Sequence, residues 1–313
     1  MGDLLKLDGV HKVFKTSSST VTACKDINFT IKPGEVLGLV GESGSGKSTI
    51  ANLILKLEKI DAGRIILDGE VIADSASENL KTFHSKVQGV FQYPLFSVDI
   101  RKNIEWIISE PLVIHKFGSK TDISNKVTEL LLSVALSPNT RKKYPRQLSG
   151  GQLQRVNIAR ALALNPKLLI CDEPVSALDV SIQAQIMNLF QEIQSKLDVA
   201  MLFISHDLSV VRYLSDRIAV MYGGSIVEIG ETDSICDSPR HPYTRSLIAA
   251  SKYKSLAKEG EETKNLDQNR EIPKKGCPFA PRCIYVKDQC LVAEIKLKSI
   301  SNGTSSACIR DDI

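Results

Sequence analysis

The chain has 313 residues, which at about 150 residues per domain gives roughly two domains. Its 42% hydrophobic and 24% charged residues match a globular composition able to build a sizeable core, and this excludes wholesale disorder. A net charge of +4 falls far short of the dense basic surface of a nucleic-acid binder, and 5% aromatics is too few for single-strand stacking platforms.

No run approaches the ~18 apolar residues that cross a bilayer; the longest, Val199–Ile204, has the length of a buried strand. The opening MGDLLKL lacks an apolar signal core, and Lys6 stands where a myristoylation pattern needs Ser or Thr. The expectation is a cytosolic chain that reaches other places only by docking.

In chain order, Val21, Ala23, Ile27, Phe29 and Ile31 have mostly period-two spacing and predict a half-buried strand. Val36–Val40 predicts a buried strand running into glycines, and Lys47–Leu57 a helix. Between Tyr93 and Leu148 only helices are expected, over Ile100–Ile108 and Val127–Leu136, as a helical insertion. Leu168–Cys171, Ala200–Ile204 and Arg217–Met221 predict further strands. Ile182, Ile186, Leu189, Phe190, Ile193 and Leu197 share one helix face. Strand and helix signals alternating in this way imply a largely parallel sheet flanked by helices. Lys252–Lys275 is polar and reads as a linker, followed by a small Cys- and Pro-bearing module.

Of seven cysteines, Cys24, Cys171 and Cys236 stand singly and read as core filler. Cys277, Cys283, Cys290 and Cys308 cluster, and in a reducing compartment they read as a metal site sooner than as disulfides. A short tail with little core of its own would take its order from that metal.

Three segments carry chemistry. Gly41-Glu-Ser43-Gly44-Ser45-Gly46-Lys47-Ser48-Thr49 fits G-x-x-x-x-G-K-[ST] between a predicted strand and a predicted helix. Glycines let amides curl round phosphate oxygens, and the helix start adds donors and a positive dipole end. Lys47 is expected on the β- and γ-phosphates and the Ser48 hydroxyl on magnesium. The strand Leu168–Cys171 ends in Asp172 and Glu173: the first suits a magnesium shell, the second a base that polarises attacking water. Ser149 reads as the N-cap of a helix running to about Leu164, with Gly150, Gly151 and Gln152 leaving its first amides bare. A second anion-ready helix start beside a complete phosphate loop points to a head-to-tail dimer, in which this start closes the partner's nucleotide.

Together, GESGSGKST, Gln92, LSGGQ, LLICDEP, Ser176-Ala-Leu-Asp179 and His206 resemble, in order and spacing, the nucleotide-binding subunits of ATP-binding cassette (ABC) transporters from Leu4 to about Gly230. The resemblance implies a P-loop NTPase α/β core with a helical subdomain and a small cysteine-bearing C-terminal extension. It implies Gln92 on magnesium and facing the membrane subunit, His206 on the γ-phosphate, Phe14 stacked on adenine, and Ser176–Asp179 crossing a dimer interface. The core would take residues 1–92 and 165–235, the helical subdomain 93–164, a helix and linker 236–276, and the Cys-rich module 277–313.

Ser238–Leu247 and the tail cysteines, spaced C-x5-C-x6-C-x17-C, are similar to the C-terminal extension of oligopeptide, dipeptide and nickel permease ATPases. Tyr93–Arg101 departs from that pattern, as does Ile284-Tyr285. The likeness implies ATP hydrolysis powering peptide import, with nickel or metallophore cargo, or a soluble cassette ATPase outside transport, as the alternatives. It also implies a 4Fe–4S cluster on Cys277, Cys283, Cys290 and Cys308, with zinc or unligated thiols still open. The implied partners are a second ATPase subunit, two transmembrane permease subunits and, indirectly, an extracytoplasmic substrate-binding protein, with no nucleic acid. The chain would sit peripherally on the cytoplasmic face of the membrane.

Overall fold

The computed structural model describes residues 2–15, 19–72, 80–256, 273, 275–293, 295–300 and 303–310. It packs as two units: a central unit of Ile31–Glu35 and Asp74–Ile204, and a terminal unit of Gly2–Thr30, Val36–Ala73 and Ser205–Ile313.

The terminal unit opens with β1 (Leu5–Lys15), β2 (Thr20–Ile31), β3 (Val36–Val40), α1 (Lys47–Ile54), β4 (Ala62–Leu67) and β5 (Glu70–Val71). β1 pairs antiparallel with β4 and lies beside β2, and β5 closes the other edge. The alternation expected along β2 holds only for Ile27, Phe29 and Ile31, all buried. Asp26 takes a left-handed backbone (φ 51°), which breaks the period, so Cys24 turns inward while Val21 is 56% exposed. β3 is buried throughout, as its apolar run requires. α1 stops at Ile54, short of Leu57, because Lys56 is left-handed (φ 57°).

The central unit holds α2 (Leu80–Lys86), β6 (Val87–Val90), α3 (Ile104–Ile114), α4 (Lys120–Ser133), α5 (Gly150–Leu162), β7 (Leu168–Asp172), α6 (Val180–Leu197) and β8 (Ala200–Ser205). β6, β7 and β8 form a parallel ladder. The helix expected over Ile100–Ile108 begins at Ile104, where Asn103 caps it by accepting from the Trp106 amide at 2.9 Å. That expected over Val127–Leu136 begins seven residues earlier, at a Ser119–Asp122 capping box, and ends at Ser133 before left-handed Ala135. On α6, Ile186, Leu189, Phe190 and Ile193 are buried; Leu197, placed on that face by its spacing, is 52% exposed at the helix end.

The terminal unit resumes with α7 (Leu208–Leu214), β9 (Arg217–Tyr222), β10 (Ser225–Glu231), α8 (Thr232–Asp237), α9 (Pro242–Leu256), α10 (Asp288–Val292), β11 (Lys298–Ser299) and β12 (Ser305–Ser306). β9 runs parallel to β3 and antiparallel to β10. The first residues of the expected linker, 252–256, belong to α9; most of its remainder, 257–272 and 274, lies outside the described residues.

The tail is tied to the rest of its unit by strand pairing and ring packing. β12 pairs antiparallel with β10 (Glu228↔Ser306, Ile229↔Ser305) and β11 with β12, extending the sheet edge. Phe279 packs on Tyr222 and Tyr243 at ring-centroid distances of 5.3 and 5.4 Å. Burial of aromatic surface and strand pairing thus contribute to the order of the tail.

Candidate active site

β3 delivers the chain into the loop Gly41–Gly46, and Gly46 starts α1 in the left-handed region (φ 106°, ψ 5°). A Cβ at Gly46 would stand 2.1 Å from the Ala23 carbonyl oxygen, so conformation and space both require glycine. No side chain caps α1, and its first turn carries no acid. Its amides and positive dipole end therefore suit an anion. Lys47 is only 5% exposed; its Nζ donates to the carbonyls of Gly41 (2.8 Å) and Glu42 (2.9 Å) and lies 3.5 Å from Ser45 Oγ. Ser43, Gly44 and Ser48 are exposed, Ser45 is buried and Thr49 is half-buried.

Phe14 on β1 is 36% exposed, with Lys12 Nζ 5.0 Å from its ring centroid. His206 is exposed, immediately after β8.

In the central unit Asp172 ends β7 and Glu173 follows with a left-handed backbone (φ 47°), unusual for a residue with a side chain. Its amide donates to the Ile204 carbonyl (3.0 Å), tying the turn to β8. Gln92, just after β6, donates from Nε2 to Glu173 Oε2 at 3.2 Å. Two residues 81 positions apart thus meet because β6 and β7 are neighbours. Ser176 Oγ donates to the Glu173 carbonyl (3.1 Å), opening the turn that reaches Asp179, the N-terminal flank of α6.

Ser149 caps α5 as expected: its Oγ accepts from the Gln152 amide (3.3 Å) while Gln152 Oε1 accepts from the Ser149 amide (3.2 Å). α5 ends at Leu162. Ser149, Gly150 and Gln152 are exposed, whereas Gly151 is buried; a Cβ there would stand 2.4 Å from Ile182 Cγ2 of α6.

Sequence reasoning missed three polar residues behind this site, two of them buried and one half-buried. Gln154, fully buried on α5, donates to the carbonyls of Phe91 (3.3 Å) and Pro174 (2.8 Å), the neighbours of Gln92 and Glu173. Asn157 donates to the Pro94 carbonyl (3.1 Å) and Arg160 to that of Ser97 (2.6 Å). Their spacing of three, which sets Gln154, Asn157 and Arg160 on one stripe of α5, was the available signal, diluted by Gln152 and Arg155 on the same helix.

It also missed the tail's grip on the phosphate loop. Tyr243 Oη accepts from the Glu42 amide (2.9 Å), and Arg282 makes two bonds to the Glu42 carboxylate (2.8 and 3.0 Å). This pairing pushes the Arg282 guanidinium further above its ordinary range.

Cys277, Cys283, Cys290 and Cys308 line one cavity with His241, whose Nε2 lies 3.9 Å from Cys277 Sγ. Burial pushes Cys277 up to about 11, and Cys283 and Cys308 upward as well. Among the described residues no group of three or more His, Cys, Asp or Glu side chains could hold a metal ion. The iron–sulfur or zinc site expected on these cysteines therefore has no support in this arrangement.

The matches to known proteins agree with this geometry. The ABC transporter family model matches residues 24–176, and the oligopeptide/dipeptide transporter C-terminal region matches 227–290. Over 73% of this chain and 98% of the other, the fold superposes on a dimeric ATP-binding cassette in a post-hydrolysis state bound to ADP and Pi (TM-score 0.67, 32% identity). It also superposes on cbiO1 from Clostridium perfringens, part of an ABC transporter complex (TM-score 0.68, 26% identity, 82% of this chain and 99% of that one). The chain belongs to the ABC transporter family, as one of its ATP-binding proteins. Its full-length relatives are oligopeptide transport proteins: AppF of Bacillus subtilis is 44% identical over 97% of this chain and 96% of its own, and OppF of Haemophilus influenzae 39% identical over 99% and 95%.

Proposed function

We propose that the chain hydrolyses ATP to drive import of di- and oligopeptides, as one of two nucleotide-binding subunits of a membrane transporter. The observation that carries this is Glu173, in a left-handed turn at the end of an apolar strand with Gln92 3.2 Å from its carboxylate. A general base needs such fixed placement, and one is worth ~10²–10⁴-fold in rate. The loop Gly41–Thr49 with Phe14 binds ATP, and Lys47 and His206 stabilise charge on the γ-phosphoryl group. Ser48, Gln92 and Asp172 would hold magnesium, which supplies charge neutralisation on the β- and γ-oxygens. Glu173 takes the proton from the attacking water. Phosphoryl transfer needs positioning and charge stabilisation above all, and these residues are donors, cations and one carboxylate.

Ser149, Gly150, Gly151 and Gln152 close the nucleotide of a second cassette, head to tail, and Ser176–Asp179 lies along that interface. The dimeric cassette among the structural relatives supports this pairing. Among the described residues no helix is long and apolar enough to cross a membrane, so docking on two permease subunits at the cytoplasmic face provides the location. A substrate-binding protein selects the cargo, and the peptide-transport relatives favour peptides over nickel.

Uptake of labelled di- and oligopeptides, and of nickel, in a strain lacking the gene tests the reading. Peptide uptake should fail and return with the intact gene. Glu173→Gln should retain ATP binding, lower turnover at least ~10²-fold and restore no uptake. For the tail, the cluster implied by the family resemblance finds no support in the geometry. Iron, acid-labile sulfide and zinc in anaerobically purified protein decide the matter, and a metal-free product leaves four free thiols.

A further inference from the structure

Glu42, the residue after the first glycine of the phosphate loop, is engaged through every polar group it has. Its amide donates to Tyr243 Oη, its carbonyl accepts from Lys47 Nζ, and both carboxylate oxygens accept from Arg282. Two of these three anchors come from the C-terminal extension, 201 and 240 residues away in sequence. Arg282 is held in turn: its guanidinium carbon lies 5.7 Å from the Tyr222 ring centroid and 5.6 Å from that of Phe279. Its side chain is 16% exposed and that of Glu42 37%, so water screens the pair only in part.

The charges give the arrangement its purpose. A carboxylate on the loop that cradles a triphosphate repels that triphosphate, and this loop carries one. Of its own residues only Lys47 is cationic. We propose that Arg282 is a positioning residue of the nucleotide site: it neutralises Glu42 and, with Tyr243, fixes the loop in the form that accepts the phosphates of ATP. The inference rests on the ATPase reading above and adds to it a residue from the C-terminal extension. A bidentate guanidinium suits the task, since it cancels the charge and sets the carboxylate plane together.

The test is MgATP affinity and steady-state kinetics of the full-length chain. Arg282→Gln should raise Kd and KM for MgATP roughly fivefold while kcat changes less than about twofold. Added salt should shrink the defect. Arg282→Lys, which keeps the charge but loses the two-pronged bond, should recover only part of the defect. Adding Glu42→Gln to Arg282→Gln should bring KM back to that of Glu42→Gln alone, because the unneutralised carboxylate is gone; a folding defect in the tail would not be rescued. An unchanged KM in Arg282→Gln overturns the proposal, as does a rise that Glu42→Gln leaves in place. If the unchanged protein neither binds nor hydrolyses ATP, the ATPase reading itself falls.

Discussion

Gly46 and Glu173 both occupy left-handed backbone, but for opposite reasons. Gly46 needs the space as well as the angle, so Gly46→Ala should abolish measurable ATP binding and cost about 1–3 kcal/mol of stability in urea unfolding. Glu173 carries a side chain there, as Asp26, Lys56 and Ala135 do, but at the end of β7, where its carboxylate meets Gln92. A different constraint acts on His241, whose burial lowers its pKa to about 4 while Nδ1 accepts from the Tyr243 amide at 3.1 Å. The folded chain refuses a proton that the unfolded chain takes up near 6.5. Stability is therefore full above about pH 6.5 and falls on acidification towards about 4, by up to ~1.4 kcal/mol per pH unit. Urea titrations at pH 7 and 5 should show this slope, and His241→Asn should flatten it.

At the scale of elements, α5 is more than the carrier of an exposed start. Gln154, Asn157 and Arg160 bond the carbonyls of Phe91, Pro94 and Ser97 in step, each pair 63 residues apart. These bonds fasten the segment around Gln92 to α5, so a displacement of that segment should carry the Ser149 end of the helix with it. Gln154→Met should leave the Phe91 and Pro174 carbonyls without this donor, costing about 1–3 kcal/mol in urea unfolding and lowering kcat more than KM. The close approach of Gly151 to Ile182 fixes α5 against α6, so Gly151→Ala should impair hydrolysis and Ile182→Ala should restore part of it.

At the scale of the whole molecule, hydrolysis in a head-to-tail pair requires assembly, so the specific activity of isolated chains should fall on dilution. A rate per chain independent of concentration would exclude the shared site. Much of this organisation is legible in the sequence because its signals are local: the glycine loop, the apolar strands at 36, 168 and 200, and the Ser149 cap each follow from neighbouring residues. What was not legible is long-range. Nothing near Glu42 announces Arg282, nothing near Phe91 announces Gln154, and nothing in a cysteine-rich tail announces that β12 will pair with β10. Element ends slipped for a related reason: left-handed Asp26, Lys56 and Ala135 break a period without glycine to mark them.

The pairing of Glu42 with Arg282 also bears on how the protein is made. Arg282 stands 240 residues after Glu42, so the ribosome emits the phosphate loop long before the residue that tethers it. A fragment ending before Arg282 would lack that tether, and its affinity for MgATP should fall below that of the longer chain.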